Sequence, residues 1–255
     1  MAQVGETLLL KNRRRRRFLR ALLAAVVLAV VTFRNPLFRG NYGVVDPQRV
    51  YRSAQPVAEL RRRIADDHLA SILNLRGGAT TDPFYAAEVR ATQEGGVDFY
   101  DLPLSAIRRP QRRELLLLLD LFDRCRYPLL IHCKSGSDRT GLAAALYLMS
   151  RRDEPPEKAL RAFSLFYGHV PLLGPEHLHE PFLEYAAWLK AQHQAHTPAR
   201  FRWWVREVYR AEDREGDVPP LQPGPRKALA AKKAGTDATP LAGEPDLRRL
   251  RQGSD

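Results

Sequence analysis

The chain has 255 residues, 44% of them hydrophobic and 27% charged, enough apolar side chain for one sizeable core and too much for wholesale disorder. Two cysteines exclude a disulfide-dense scaffold or a cysteine-rich zinc fold. A formal charge of +12 points to an anionic partner: nucleic acid, a membrane surface or a phosphorylated substrate.

Half of that charge is a terminal block. Residues 1–20 carry seven Lys/Arg and one acid, residues 211–255 carry eight of each sign, and +6 is left for residues 21–210. No nucleic-acid-binding motif accompanies the charge, so no nucleic-acid partner is expected. Arg13 to Arg17 precede Phe18, Leu19 and Arg20, and a 13-residue uncharged run from Ala21 to Phe33 follows, ended by Arg34-Asn35-Pro36. A basic segment (1–20) before an apolar one (21–38) has the outline of an export signal. No small-x-small cleavage site follows, so the sequence predicts an uncleaved single-pass signal anchor, with membrane contact through residues 18–38. Thirteen helical residues span roughly 20 Å of a ~30 Å hydrocarbon core, which requires Arg20 and Arg34 to snorkel. The positive-inside rule then places the rest of the chain outside the cytoplasm, in a periplasm, with the cytoplasmic face as the alternative.

Beyond the anchor, strands and helices alternate. Strands are expected over 49–53, 70–75, 97–102 and 129–132. Helices are expected over 56–68, 82–94, 110–124, 140–151, 155–166, 175–192 and 199–210. This order predicts an α/β domain over residues 44–210, a central mostly parallel sheet flanked by helices. Residues 211–255 hold six Pro, five Gly and no aromatic residue, and read as a disordered tail.

The stretch richest in chemistry is Pro128-Leu-Leu-Ile-His-Cys-Lys-Ser-Gly-Ser-Asp-Arg-Thr-Gly141. A buried strand ends at His132 and a helix is expected to start at Thr140. A loop between them turns backbone N–H groups inward, and the helix dipole favours a tetrahedral oxyanion in the nest. Cys133, at the bottom of that field, is expected to act as a thiolate nucleophile. Arg139 can clamp two phosphate oxygens with its planar fork. Lys134, Ser135, Gly136, Ser137 and Asp138 form the phosphate loop between them. Thr140 can donate its hydroxyl toward the sulfur, and His132 can brace the loop through its ring.

His132-Cys133, five residues, then Arg139-Thr140-Gly141 resembles the signature loop of the cysteine-dependent protein tyrosine and dual-specificity phosphatases. Tyr51-Arg52-Ser53-Ala54-Gln55-Pro56 and Leu73-Asn74-Leu75-Arg76 resemble the atypical dual-specificity phosphatases of bacteria, fungi and plants. The resemblance implies the dual-specificity phosphatase fold. It also implies attack of Cys133 on phosphorus, proton donation to the leaving alcohol and hydrolysis of the phosphocysteine, without cofactor or metal. The implied partner is a phosphorylated protein or a phosphorylated small molecule or lipid.

The general acid stays open between two residues. In that family an Asp usually stands on a loop ahead of the cysteine. The corresponding loop here, Leu102 to Pro110, has no carboxylate, and Asp101 precedes it. Asp138 is the rival, because myotubularin and Sac-type phosphatases also carry Asp immediately before the loop arginine. The missing loop Asp leaves a second function in play: a catalytically impaired pseudophosphatase that binds phospho-ligands. Lys134 resembles the loop of the tensin-homologue lipid phosphatase, and Arg108, Arg109, Arg112 and Arg113 sit where they can meet a highly anionic substrate or solvent. His169, His177 and His179 read as surface or packing histidines. Cys125 reads as a buried free thiol, with a protective disulfide to Cys133 as the alternative.

Overall fold

Short apolar strands that each feed a helix pair most readily in parallel, because the crossover helix returns the chain to the same edge. The computed structural model describes residues 2–32, 34–172, 174–211 and 222–223. β1 (Gly43–Asp46) lies antiparallel on β2 (Val50–Ser53), and β2, β3 (Ser71–Asn74), β4 (Asp98–Asp101) and β5 (Leu129–His132) are mutually parallel in the order β2-β5-β3-β4. A two-residue strand, β6 (Gln222–Pro223), pairs antiparallel with β4. The expected mostly parallel sheet is borne out, and β5 with its following loop sits at its centre.

Helices cover both faces. In chain order they are α1 (Ala2–Thr32), α2 (Arg34–Phe38), α3 (Leu60–Asp66), α4 (Pro83–Gly95), α5 (Arg112–Arg124), α6 (Asp138–Arg151), α7 (Pro156–Ala159), α8 (Glu180–Ala191) and α9 (Pro198–Glu207). Their ends follow local chemistry. Pro83 opens α4 and Gly96, at φ 64°, ends it in the left-handed conformation. Gln111 and Glu114 form a reciprocal capping box on α5.

Strand register sorts residues between two cores. Tyr51, Leu130, Ile72 and Phe99 stand side by side, and Leu130, Ile72 and Phe99 pack with Leu60 of α3 and with Tyr85, Val89 and Ala91 of α4. Leu129, Ile131 and Leu73 face the larger core, formed with α5, α6, α8 and α9. Because side chains alternate along a strand, Ser53, His132, Asn74 and Asp101, two residues further on, share the α3–α4 face. Cys133 joins the opposite core with Ile131.

The membrane anchor is overturned. Among the described residues no helix is long and apolar enough to cross a membrane. The reason lies in length: α1 is helical as far as Thr32, but its uncharged stretch is too short, and any wider window takes in Arg16, Arg20 or Arg34. The single-pass topology and the periplasmic placement built on it fall with the anchor. Two helical expectations also change. The 155–166 helix breaks after α7 into 3-10 turns at Leu160–Ala162 and Leu165–Tyr167, and the 175–192 helix opens with a 3-10 turn at Pro175–His179. The tail lies outside the described residues apart from Ala211, Gln222 and Pro223.

Candidate active site

The loop from Cys133 to Ser137 joins β5 to α6 at the carboxyl ends of the parallel strands, where open α/β sheets hold their ligands. Its shape is set by donors outside it. The Lys134 carbonyl accepts from the Gln55 amide at 3.3 Å and the Ser135 carbonyl from the Asn41 side chain at 2.8 Å. Arg52 donates one terminal nitrogen to Gly136 at 2.8 Å and to Ser137 at 3.3 Å, and the other to Ala162 at 2.7 Å. In a trans peptide the N–H points opposite to the C=O. With these carbonyls held outward, the amides of Ser135, Gly136, Ser137 and Asp138 turn inward, and the Gly136 amide donates to Cys133 Sγ at 3.2 Å. Glycine is required at 136: its φ is +70°, and a Cβ there would come within 2.5 Å of the Ser53 and Ala54 backbone.

Arg52 is 2% exposed, its guanidinium stacks on Tyr167, and its charge acts on Cys133 and Asp138. Burial pulls it down to about 10, which leaves it charged at neutral pH. Arg139 is anchored by one terminal nitrogen to the carbonyls of Leu75 at 3.2 Å and Leu104 at 3.3 Å. Its Nε is buried and has no hydrogen-bond partner among the described residues, an edge left for an oxyanion. Lys134 and Ser135 are exposed at the rim. Thr140 is fully buried, and its hydroxyl has no hydrogen-bond partner among the described residues.

Beneath the loop, on the α3–α4 face, lies a buried polar layer. His132 Nε2 is 2.5 Å from Glu88 Oε1, both essentially inaccessible, and Gln55 donates to the other Glu88 oxygen at 2.5 Å. Asp101 belongs to this layer. It is 4% exposed and accepts a hydrogen bond from the Tyr85 hydroxyl on α4. Burial, with the Glu88 charge beside it, pushes Asp101 up to about 6 against the Tyr85 bond. An acid raised in the folded state favours folding below its unfolded value, near 4, and that contribution is lost as pH rises through about 6. Asn can still accept from Tyr85. Asp101→Asn is therefore expected to gain stability relative to the wild type between about pH 4.5 and 7.5, by on the order of 2 kcal/mol. Denaturant titrations at the two pH values check this, and a difference that does not change with pH contradicts it.

Asp138, the other acid candidate, opens α6 directly before Arg139. It retains 21% of its side-chain surface, and Oδ1 contacts His169 Nδ1 at 2.7 Å and accepts from the Ser137 hydroxyl at 3.1 Å. His177 is exposed and bonded to Glu180 at 2.5 Å, as a surface histidine. Arg109 is occupied by Glu184 at 2.8 Å and by Tyr209, and Arg112 donates to the Arg206 carbonyl, so these two arginines brace α8 and α9. Cys125 and Cys133 are both free. Cys125 ends α5 ahead of β5 and Cys133 follows that strand. Burial pushes the Cys125 thiol up to about 11. The sequence had no signal for Glu88, Asn41 or His169 at the site, and Arg52 stood out only as part of the Tyr-Arg-Ser run.

Among solved structures the chain is similar to the core catalytic domain of the PP-IP phosphatase SIW14 from S. cerevisiae, at 19% identity and a TM-score of 0.46, over 60% of this chain and 93% of that one. It is also similar to P. aeruginosa TpbA, at 20% identity and a TM-score of 0.46, over 67% of this chain and 99% of that one. The active form of Tk-PTP matches at 21% identity and a TM-score of 0.44, over 58% and 97% of the two chains. No curated protein matches. Residues 39–167, half of the chain, match the family described as DSP-PTPase phosphatase fused to NAD+ kinase, and with Cys133 and Arg139 in their loop the chain belongs to this family and is a cysteine-dependent phosphatase.

Proposed function

We propose that the chain hydrolyses phosphomonoesters through a phosphocysteine intermediate on Cys133. The observation that carries the reading is the Gly136 amide on Cys133 Sγ, inside a loop whose carbonyls are tied outward beside Arg139. The Cys133 thiolate attacks phosphorus in line while the loop amides and Arg139 hold the equatorial oxygens. The S–P bond forms, the bond to the leaving oxygen breaks, and Asp138 transfers its proton to that oxygen. A water then attacks phosphorus, returns a proton to Asp138, and the S–P bond breaks to release inorganic phosphate. Asp138 is preferred to Asp101 because it flanks Arg139 with an open edge, whereas Asp101 is bonded to Tyr85 on the α4 side.

The substrate class is the phosphomonoester dianion, as found in phosphotyrosine or other phosphorylated protein side chains, inositol phosphates and lipid phosphates. The functional unit runs to about residue 210, because Phe201, Trp204, Val205 and Tyr209 complete the core that holds α6. A second reading, a phospho-ligand binding module without turnover, draws on the 102–110 loop that lacks a carboxylate. Hydrolysis of p-nitrophenyl phosphate by the full chain separates the two. Turnover that depends on Cys133 supports the phosphatase, and tight phosphate binding without turnover supports the binding module.

A further inference from the structure

His169 lies 31 residues beyond Asp138 in sequence and only 3% of it is exposed, yet its Nδ1 meets the Asp138 carboxylate at 2.7 Å. Three independent features hold the ring there. The 3-10 turn Leu165–Tyr167 and Gly168, at φ +71°, deliver the backbone, and the His169 amide donates to the Ser164 carbonyl at 3.0 Å. Asn41, which also holds the Ser135 carbonyl of the phosphate loop, donates to the Tyr167 carbonyl at 2.8 Å. Phe163 packs 5.0 Å from the His169 ring, and a Cβ at Gly141, on the first turns of α6, would clash with Phe163 at 2.8 Å. One set of contacts therefore places the loop, the start of α6 and the imidazole together.

We infer that His169 is a positioning residue that holds Asp138 toward the leaving oxygen and shares the catalytic proton with it. This deepens the phosphatase reading and rests on it. The pair cycles between two states. With one proton more, it is written as imidazole and carboxylic acid or as imidazolium and carboxylate, which differ only in where a proton sits along the Nδ1···Oδ1 contact. Asp138 passes that proton to the leaving oxygen as the P–O bond breaks. The pair is left as carboxylate and neutral imidazole. In the second step it takes the proton of the attacking water, and the balance is restored. The 2.7 Å Nδ1···Oδ1 contact lets one proton sit on either partner.

Other titratable and charged groups face the pair. On the 3-10 turn Pro175–His179, the His179 ring packs tilted at 4.8 Å from that of His169, and burial together with His169 keeps His179 below its ordinary value. Glu176 acts on His179 from the same turn, and Arg52, from β2, supplies a fixed positive charge that acts on Asp138. Among the described residues, the buried His169 Nε2 and His179 Nε2 have no hydrogen-bond partner.

The test is His169→Asn in the full chain, with kcat followed from about pH 5 to pH 9 on p-nitrophenyl phosphate and on phenyl phosphate, whose leaving group is poorer. Asn keeps an N–H for Asp138 but carries no proton of its own. Expected are a loss of roughly ten- to a hundredfold in kcat on phenyl phosphate, a much smaller loss on p-nitrophenyl phosphate, and an alkaline limb moved to lower pH. KM should change little. Asp138→Asn, at a partly exposed position, provides a second variant should His169→Asn fail to fold. It should show the same leaving-group-selective loss and lack the alkaline limb. Equal losses on both substrates with an unmoved pH profile overturn the inference while leaving Cys133 chemistry intact. A wild-type chain that hydrolyses neither substrate overturns the phosphatase reading first.

Discussion

Cys133→Ser should hydrolyse p-nitrophenyl phosphate at least about 10⁴-fold more slowly than the wild type while keeping its affinity for inorganic phosphate within a fewfold. The size of the loss follows from the chemistry: a serine hydroxyl stays protonated at neutral pH and is a far weaker nucleophile than a thiolate, so the in-line nucleophile disappears. The survival of binding follows from the geometry. The inward amides of the loop are fixed by Gln55, Asn41 and Arg52, whose hydrogen bonds go to the loop carbonyls. The Gly136 amide, which points at Sγ, can donate to the serine hydroxyl in its place. Initial-rate measurements and phosphate titration of the same preparation check both parts. A variant that retains turnover contradicts the nucleophile, and one that folds but no longer binds phosphate contradicts the cradle.

Arg52→Met should cost more in stability than any surface change and should disable the loop as well. Its guanidinium donates to the carbonyls of Ala162, Gly136 and Ser137 from a site that is 2% exposed. Met fills much of the volume but leaves buried acceptors without donors, a loss on the order of 3 kcal/mol. The Gly136 and Ser137 peptides are then free to rotate, and the amides that face phosphate rotate with them. Losing preorganised donors of this kind lowers kcat by about 10² to 10³. Arg52→Lys retains the charge but not the fork, so it should recover part of the stability and little of the activity. Chemical denaturation alongside kcat at pH 7 measures the two effects. An Arg52→Met chain with wild-type kcat would mean that the loop keeps its shape unaided.

The centre of the molecule was readable because its signals are local. Leu129-Leu-Ile-His132 is an apolar run that must be a buried strand, and Cys133 to Arg139 follows it into a helix, so the loop's chemistry and its setting are written in one stretch. The parallel sheet follows from the alternation of such runs with helices. What escaped the sequence depends on contacts between distant segments. The strand period does place Asp101 on the face of Phe99 and away from that of Tyr100, but only the register with His132 shows that this face belongs to α4 and not to the loop. His169 stands in a Gly/Pro-rich stretch without periodicity, and its contact with Asp138 is made by tertiary packing alone. The apolar run after Arg20 looked like an anchor because its composition fits one. Its length does not, and length decides whether a helix can cross a bilayer.

The most direct test of Cys133 as a covalent nucleophile is to mix the full chain with p-nitrophenyl phosphate, quench into denaturant within the first turnover, and measure the mass of the peptide that contains Cys133. The mechanism predicts one phosphoryl group on that peptide, its amount rising and falling with turnover, and none in Cys133→Ser. Steady hydrolysis with an unmodified Cys133 peptide, or with the phosphoryl group on another residue, would contradict it.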